Sequence, residues 1–94
     1  MLIIVAKNTL KPGKTVDFKA AAKELIEKSR AEAGNISYDL YEDVSNPDVL
    51  TFIEHWKDQA AIDFHSSQSH FNDTIPKLAA LSVKDMEVTI YKNS

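Results

Sequence analysis

The sequence predicts a single α+β domain over residues 1–94, with a ferredoxin-like β-α-β-β-α-β order and a four-stranded antiparallel sheet. Three observations predict this fold. Four segments carry apolar side chains in the runs or alternation typical of strands, and the segments between them space apolar residues as helices do. The chain of 94 residues is long enough for one domain and too short for two. Right-handed crossovers in this order place the helices on one face of the sheet.

The first strand is predicted at residues 2–10. It opens with a run from Leu2 to Ala6 that is apolar on both faces, which is typical of a strand covered on both sides. The Lys11–Lys14 segment contains proline and glycine and predicts a turn. The first helix then begins at Thr15, the expected capping residue, and ends at Gly34, where a left-handed conformation is expected.

A β-hairpin is predicted in the middle of the chain. Apolar and polar residues alternate over residues 36–41, and a second extended segment follows at 49–56. Between them, residues 43–48 contain asparagine, proline and aspartate and predict the turn.

The second helical region is predicted in two pieces. Asp58 caps a helix that runs through His65, and the serine-rich residues 66–69 interrupt it. Ser69 or Thr74 is the expected cap of the next piece.

The last part of the chain is expected to bend and then return to the sheet. A kink or restart is expected at Pro76, because proline cannot donate the helical hydrogen bond. The fourth strand follows at residues 83–91.

Composition excludes several classes of function. The chain has no cysteine, so disulfides, thiolate chemistry and sulfur-ligated zinc are absent. The net charge is −3 with interleaved signs, and without a basic stripe nucleic acid is not expected as a partner. No apolar run could span a bilayer or serve as a signal peptide, so a cytoplasmic protein is expected. A small domain without disulfides, with two-sided apolar strands, is expected to form a homodimer.

Familiar catalytic motifs are missing. Gly13 and Gly34 are the only glycines, which leaves no glycine-rich phosphate loop. Neither a Gly-x-Ser-x-Gly nor a His-Glu-x-x-His pattern occurs. His55, His65 and His70 do not share one strand or helix face, so the sequence predicts separate histidines and no metal site.

One set of residues resembles a known family over nearly the whole chain. In order along the chain, these residues are Gly34, Tyr38, Asn46, Pro47, Glu54, Trp56, Lys57, Asp58, Ala61, His65, Ser69 and Phe71. Their order and spacing resemble the antibiotic biosynthesis monooxygenase domain family, which includes small quinol monooxygenases. The resemblance implies a dimeric α+β barrel with a pocket between the helices and the sheet of each subunit.

The resemblance also implies a range of activities. Family oxygenases use molecular oxygen without a metal or organic cofactor, and their substrates are electron-rich phenols, hydroquinones and polycyclic polyketides. Relatives isomerise a small phosphorylated carbonyl compound, degrade haem or have no established activity. Haem degradation is disfavoured here. Asn8 matches the family asparagine, but His65 stands in place of the family tryptophan and Ile75 near the position of the iron-ligating histidine.

Two residues are the candidate catalytic groups. His65 is expected to face the sheet and to act as a pocket base, because imidazole titrates near neutrality. The alternative is a helix histidine satisfied by a backbone or hydroxyl group. Asn8 interrupts an apolar strand and is expected to hold a substrate oxygen, or alternatively to be a strand-end amide bonded to a loop.

Four further residues are the candidate substrate-binding groups. They are Tyr38, Trp56, Phe71 and Ile75. Among the aromatic residues, Phe71 is the best candidate for direct contact with a ligand, Trp56 is expected to be half-buried over a loop, and Phe64 to be core.

Two other polar residues receive structural interpretations. Glu54 shares a strand face with Trp56 and is expected to pair with a lysine or arginine across the dimer, with a catalytic role as the alternative. His70 is expected at the surface.

Three hypotheses about function remain open at this point. The first is a cofactor-independent monooxygenase acting on a quinol- or phenol-type molecule. The second is a binding or stress protein without turnover, and the third an isomerase of a small polar carbonyl compound with His65 as its base. A phosphate-binding pocket would favour the isomerase, but only Lys57 and Lys77 are near; an apolar pocket lined by Phe71 and Ile75 would favour an aromatic substrate.

Overall fold

The computed structural model describes residues 1–94 and contains one four-stranded antiparallel sheet and three helices. The elements are β1 (Leu2–Thr9), α1 (Thr15–Arg30), β2 (Asn35–Asp43), β3 (Asn46–Trp56), α2 (Gln59–Ser66), α3 (Ser69–Ala80) and β4 (Glu87–Lys92). The strands lie in the order β2-β3-β1-β4. The ferredoxin-like order is therefore confirmed, with its second helical region divided into α2 and α3.

One face of the sheet packs against the helices and carries the core. A row across this face joins Tyr38 to Glu54, Glu54 to Ile4, and Ile4 to Ile90. Phe52 follows in the next row and meets Phe18 of α1 with ring centres 6.0 Å apart. The strand register thus inserts one carboxyl group into an otherwise apolar layer.

The other face of the sheet is covered by no helix. Ile3, Val5 and Ile53 lie next to one another on it and are half-buried within a single chain. This is the second apolar side of β1 that the sequence predicts.

Two features of the first helix differ from expectation. Thr15 is not the cap; its hydroxyl donates to the carbonyl of Pro47 at 2.6 Å, and Lys14 precedes the helix without a side-chain cap. Gly34 is not left-handed, since Gly13 (φ 77°) is the only residue with positive φ. Gly34 is needed for close packing instead, because a Cβ there would collide with Ala61 of α2.

The hairpin is tighter than predicted. Asp43 pairs with Asn46, so only Val44 and Ser45 form the turn and β3 already begins at Asn46. The carboxylate of Asp43 accepts a hydrogen bond from the Ser45 N–H at 2.8 Å, which stabilises the shorter turn.

The start of α2 follows the prediction and the interior of α3 does not. Asp58 caps α2 by accepting a hydrogen bond from the Ala61 N–H at 2.9 Å. At α3, Gln68 precedes the helix and neither Ser69 nor Thr74 caps it. Pro76 causes no restart of the helix. Proline has no N–H to donate to the carbonyl of Asn72, but Asn72 is exposed, so solvent can replace this hydrogen bond.

The fourth strand is shorter than predicted. It spans Glu87–Lys92, whereas residues 83–86 lead into it without pairing as strand. The Val83 N–H donates to the Thr9 carbonyl at 2.9 Å and holds this segment against the end of β1. None of the three helices has both the length and the apolar character needed to cross a membrane.

Candidate active site

A cavity of about 170 Å³ lies between the helix face of β1 and β4 and the helices α2 and α3. Its lining is mostly apolar and includes no lysine or arginine. The lining residues are Ile4, Ala6, Glu54, Ile62, His65, Ser66, Phe71, Met86, Val88 and Ile90. Val88 and Ile90 of β4 are about half exposed, so the cavity opens to solvent on that side. Two wider, shallow depressions lie elsewhere. One runs along α1, and the other lies between α2 and the segment that follows α1, with Glu32 among its lining residues.

His65 lies at the inner wall of this cavity and is 3% exposed. Its ring centre is 4.6 Å from that of Trp56, 5.0 Å from Phe71 and 5.6 Å from Tyr38. Burial among these rings lowers the pKa of His65, because the charged imidazolium loses hydration. The prediction that His65 faces the sheet is confirmed, and its burial favours the neutral imidazole.

Glu32, which follows α1, joins two histidines from different helices. Its Oε2 lies 2.7 Å from Nδ1 of His65 and 2.8 Å from Nε2 of His70. The Glu32 and His70 side chains are only 6% and 10% exposed. The expectation that His70 is a surface residue is therefore wrong, and so is the expectation of separate histidines. The partner was missed because Glu32 is 33 residues from His65 and carries no local signal of burial.

The ligand atoms of Glu32, His65 and His70 are also close enough together to be considered for a metal ion. Atoms bound to a tetrahedral zinc, with bonds of about 2.1 Å, stand roughly 3.4 Å apart. The observed 2.7 and 2.8 Å are instead the lengths of hydrogen bonds. The arrangement is therefore a carboxylate that accepts from two imidazoles.

Glu54 faces the same cavity from the sheet and is 5% exposed. Its Oε1 accepts a hydrogen bond from Nε1 of Trp56 at 3.0 Å, and no cationic side chain pairs with it within the chain. Burial raises the pKa of Glu54 to about 7. The second oxygen, Oε2, is not sealed from solvent, so the carboxyl presents a polar edge to the cavity.

The other predicted site residues are distributed around the cavity. Phe71 lines it, whereas Tyr38 and Trp56 pack behind His65; Trp56 is fully buried, not half-buried as expected. Burial also raises the pKa of Tyr38, so its phenol stays neutral. Ile75 packs against the core outside the cavity lining.

Two residues differ more from their expected surroundings. Asn8 is buried outside the cavity, and its Nδ2 donates to the carbonyls of Ala6 and Leu50, both at 3.2 Å. Phe64, expected in the core, is 56% exposed. The wall formed by β4 was not foreseen at all, because Met86, Val88 and Ile90 give only an ordinary strand pattern.

Comparison with known proteins identifies the family. The antibiotic biosynthesis monooxygenase family model matches residues 1–77, which is most of the chain. The chain belongs to this family. The matched part of this antibiotic biosynthesis monooxygenase (ABM) family member includes Glu32, Glu54, His65 and Phe71.

Three similar proteins support the assignment to the ABM family. An uncharacterised protein of Synechocystis is 40% identical over 91 residues, which cover 96% of this chain but 62% of that relative's length. YcnE of Bacillus subtilis, named as a candidate monooxygenase, is 39% identical over 82% of this chain and 81% of its own. The crystal structure of a conserved protein of Methanosarcina mazei superimposes with a TM-score of 0.96 at 38% identity, covering 99% of this chain and 92% of that one.

Proposed function

We propose that this ABM family member is a cofactor-independent monooxygenase that acts on a small, electron-rich quinol or phenol. The main support for this proposal is the buried imidazole of His65, whose neutral form is favoured, at the wall of an apolar cavity that lacks cationic side chains. Such a base accepts a phenolic proton, and the phenolate is a much better electron donor than the phenol. The residues of the site then supply orientation and exclusion of water.

The electrons balance without a reductant. The phenolate transfers one electron to O2, and recombination of the two radicals forms a carbon–oxygen bond to a ring peroxide. Loss of the ring proton and cleavage of the O–O bond leave a quinone carbonyl and release water. The substrate supplies all four electrons, so one oxygen atom enters the product and the other becomes water. His65 takes the phenolic proton and can return it to the departing oxygen.

The size of the cavity limits the substrate. A cavity of about 150 Å³ accommodates a benzene ring, so about 170 Å³ suits a one-ring substrate, with larger ones extending past β4. Phe71 provides an aromatic edge for it, with Tyr38 and Trp56 holding His65 from behind. In this proposal Ile75 acts through packing, and Asn8 reaches the substrate only if its amide leaves its carbonyl partners.

Isomerisation of a small carbonyl compound is the second candidate. Glu54 and His65 both face the cavity, so one could remove a proton and the other return it. A phosphorylated substrate is disfavoured, because Lys57 and Lys77 are exposed and neither lines the cavity.

Oxygen uptake tests the proposal directly. Metal-free protein is mixed with a panel of hydroquinones and hydroxylated naphthalenes, and O2 consumption is followed with an electrode. We expect uptake that saturates with substrate and is unaffected by chelators, and one atom of ¹⁸O in the quinone. Saturable binding without uptake from any member would contradict the proposal and indicate a binding protein or an isomerase.

We further propose that the uncovered face of the sheet binds a second copy of the chain. Ile3, Val5 and Ile53 form an apolar surface whose burial would stabilise a dimer. Ile53→Asp should lower the mass measured by sedimentation from that of two chains to that of one, because it places a charge in this surface. Val44→Asp, in the exposed hairpin turn, is the control and should leave the mass unchanged. A monomeric wild-type protein at micromolar concentration would contradict the proposal.

A further inference from the structure

We propose that Glu32 is the positioning residue that keeps His65 in the tautomer required of a base. The inference extends the proposed function, since it rests on His65 accepting the substrate proton. Glu32 does not line the cavity and acts only through His65.

His65 and His70 share one oxygen of the Glu32 carboxylate. A carboxylate can only accept hydrogen bonds, so both imidazole nitrogens that contact Oε2 of Glu32 must carry hydrogen. His65 therefore donates its Nδ1–H, at 2.7 Å, and His70 donates its Nε2–H, at 2.8 Å. In a neutral imidazole the other nitrogen then holds the lone pair, which for His65 is Nε2.

The remaining nitrogen of His65 is available to a ligand. Two buried side-chain atoms have neither contact with solvent nor a hydrogen-bond partner, and these are Oγ of Ser29 and Oε1 of Glu32. Nε2 of His65 also has no hydrogen bond within the chain. Because it is not one of those two atoms, it retains access to solvent. His65 also lines the cavity, so in this proposal Nε2 meets the substrate there.

The backbone holds Glu32 in position for this role. Its N–H donates to the carbonyl of Ser29 at 3.1 Å, and its own carbonyl accepts from the Asn35 N–H at 3.0 Å. The two histidines are its only ion-pair partners. The carboxylate is thus fixed between the end of α1 and the start of β2, and its side chain is directed to α2 and α3.

Imidazole ¹⁵N NMR at a pH where His65 is neutral tests the inference without any substrate. We expect the wild-type His65 to carry its proton on Nδ1. In Glu32→Ala that preference should be lost, with protonated Nε2 appearing, whereas Glu32→Gln should retain part of it because the amide oxygen can still accept. Glu27→Gln, exposed on α1, is the control and should leave the spectrum unchanged.

Oxygen uptake by the same variants adds a second readout. If the proposed monooxygenase activity is present, Glu32→Ala should lower kcat by up to roughly 10⁴-fold, the effect of losing the correct tautomer of a catalytic histidine, with KM little changed. Wild-type His65 protonated on Nε2, an unchanged tautomer in Glu32→Ala, or stoichiometric zinc binding by the three side chains would each overturn the inference. Correct tautomers without uptake of oxygen would instead contradict the proposed function and leave the positioning role intact.

Discussion

His65→Gln should reduce oxygen uptake by about 10² to 10⁴-fold, the usual contribution of a general base. Glutamine is similar in size but cannot accept a phenolic proton at neutral pH, so the substrate would stay in its protonated, poorly reducing form. KM should change little, because the apolar lining and Phe71 remain. The measurement is the initial rate of O2 consumption as a function of substrate concentration.

The test needs a folded variant and a neighbouring control. Asp63→Asn lies on the same helix, is exposed and should retain the wild-type rate. Urea unfolding of both variants shows whether His65→Gln, in which the imidazole contact with Glu32 is replaced, is still native in the assay. A folded His65→Gln protein with the wild-type rate would exclude His65 as the base. At higher pH more of the substrate is already ionised in solution. The difference in rate between His65→Gln and the wild type should therefore shrink as the pH approaches the pKa of the substrate.

Glu54→Gln should stabilise the protein at pH 8 by about 3 kcal/mol, and by almost nothing at pH 4. The pKa of Glu54 is about 7 in the folded chain against 4.5 for an exposed glutamate. Between these values the folded state binds more protons than the unfolded state, so the free energy of unfolding falls as pH rises. One pKa unit corresponds to about 1.4 kcal/mol, which makes the full loss about 3 kcal/mol. Glutamine cannot ionise, so Glu54→Gln avoids this loss of stability. Its side-chain carbonyl can still accept the hydrogen bond from Trp56.

Urea denaturation of wild type and Glu54→Gln at several pH values between 4 and 8 measures this difference. His65 acts in the opposite sense: its pKa is lowered, so stability is lost as pH falls below about 6.5. That contribution is present in both proteins and cancels in their difference. Glu27→Gln, at an exposed position, should follow the wild-type curve. A stability difference between wild type and Glu54→Gln that is independent of pH would show that Glu54 is ionised when folded, for instance by pairing with a cation from a second copy.

The features that the sequence predicts correctly have local signals. The strand pattern around Leu2–Ala6, the capping of α2 by Asp58 and the inward direction of His65 all depend on residues within a few positions of one another. Such signals follow from the two- and 3.6-residue periods of the backbone, which fix the face on which each side chain lies. The ordered motifs from Gly34 to Phe71 were likewise sufficient to indicate the family.

The fold class, the family and a histidine facing the sheet were thus determined by the sequence alone. Only the tertiary structure decided that Glu32 joins His65 to His70, that β4 forms the open wall of the cavity, and that Gly34 serves close packing against Ala61. The reason is physical. These contacts bring together residues far apart in the chain, and whether a carboxylate there is buried or solvated depends on the packing of whole elements, not on its neighbours in sequence.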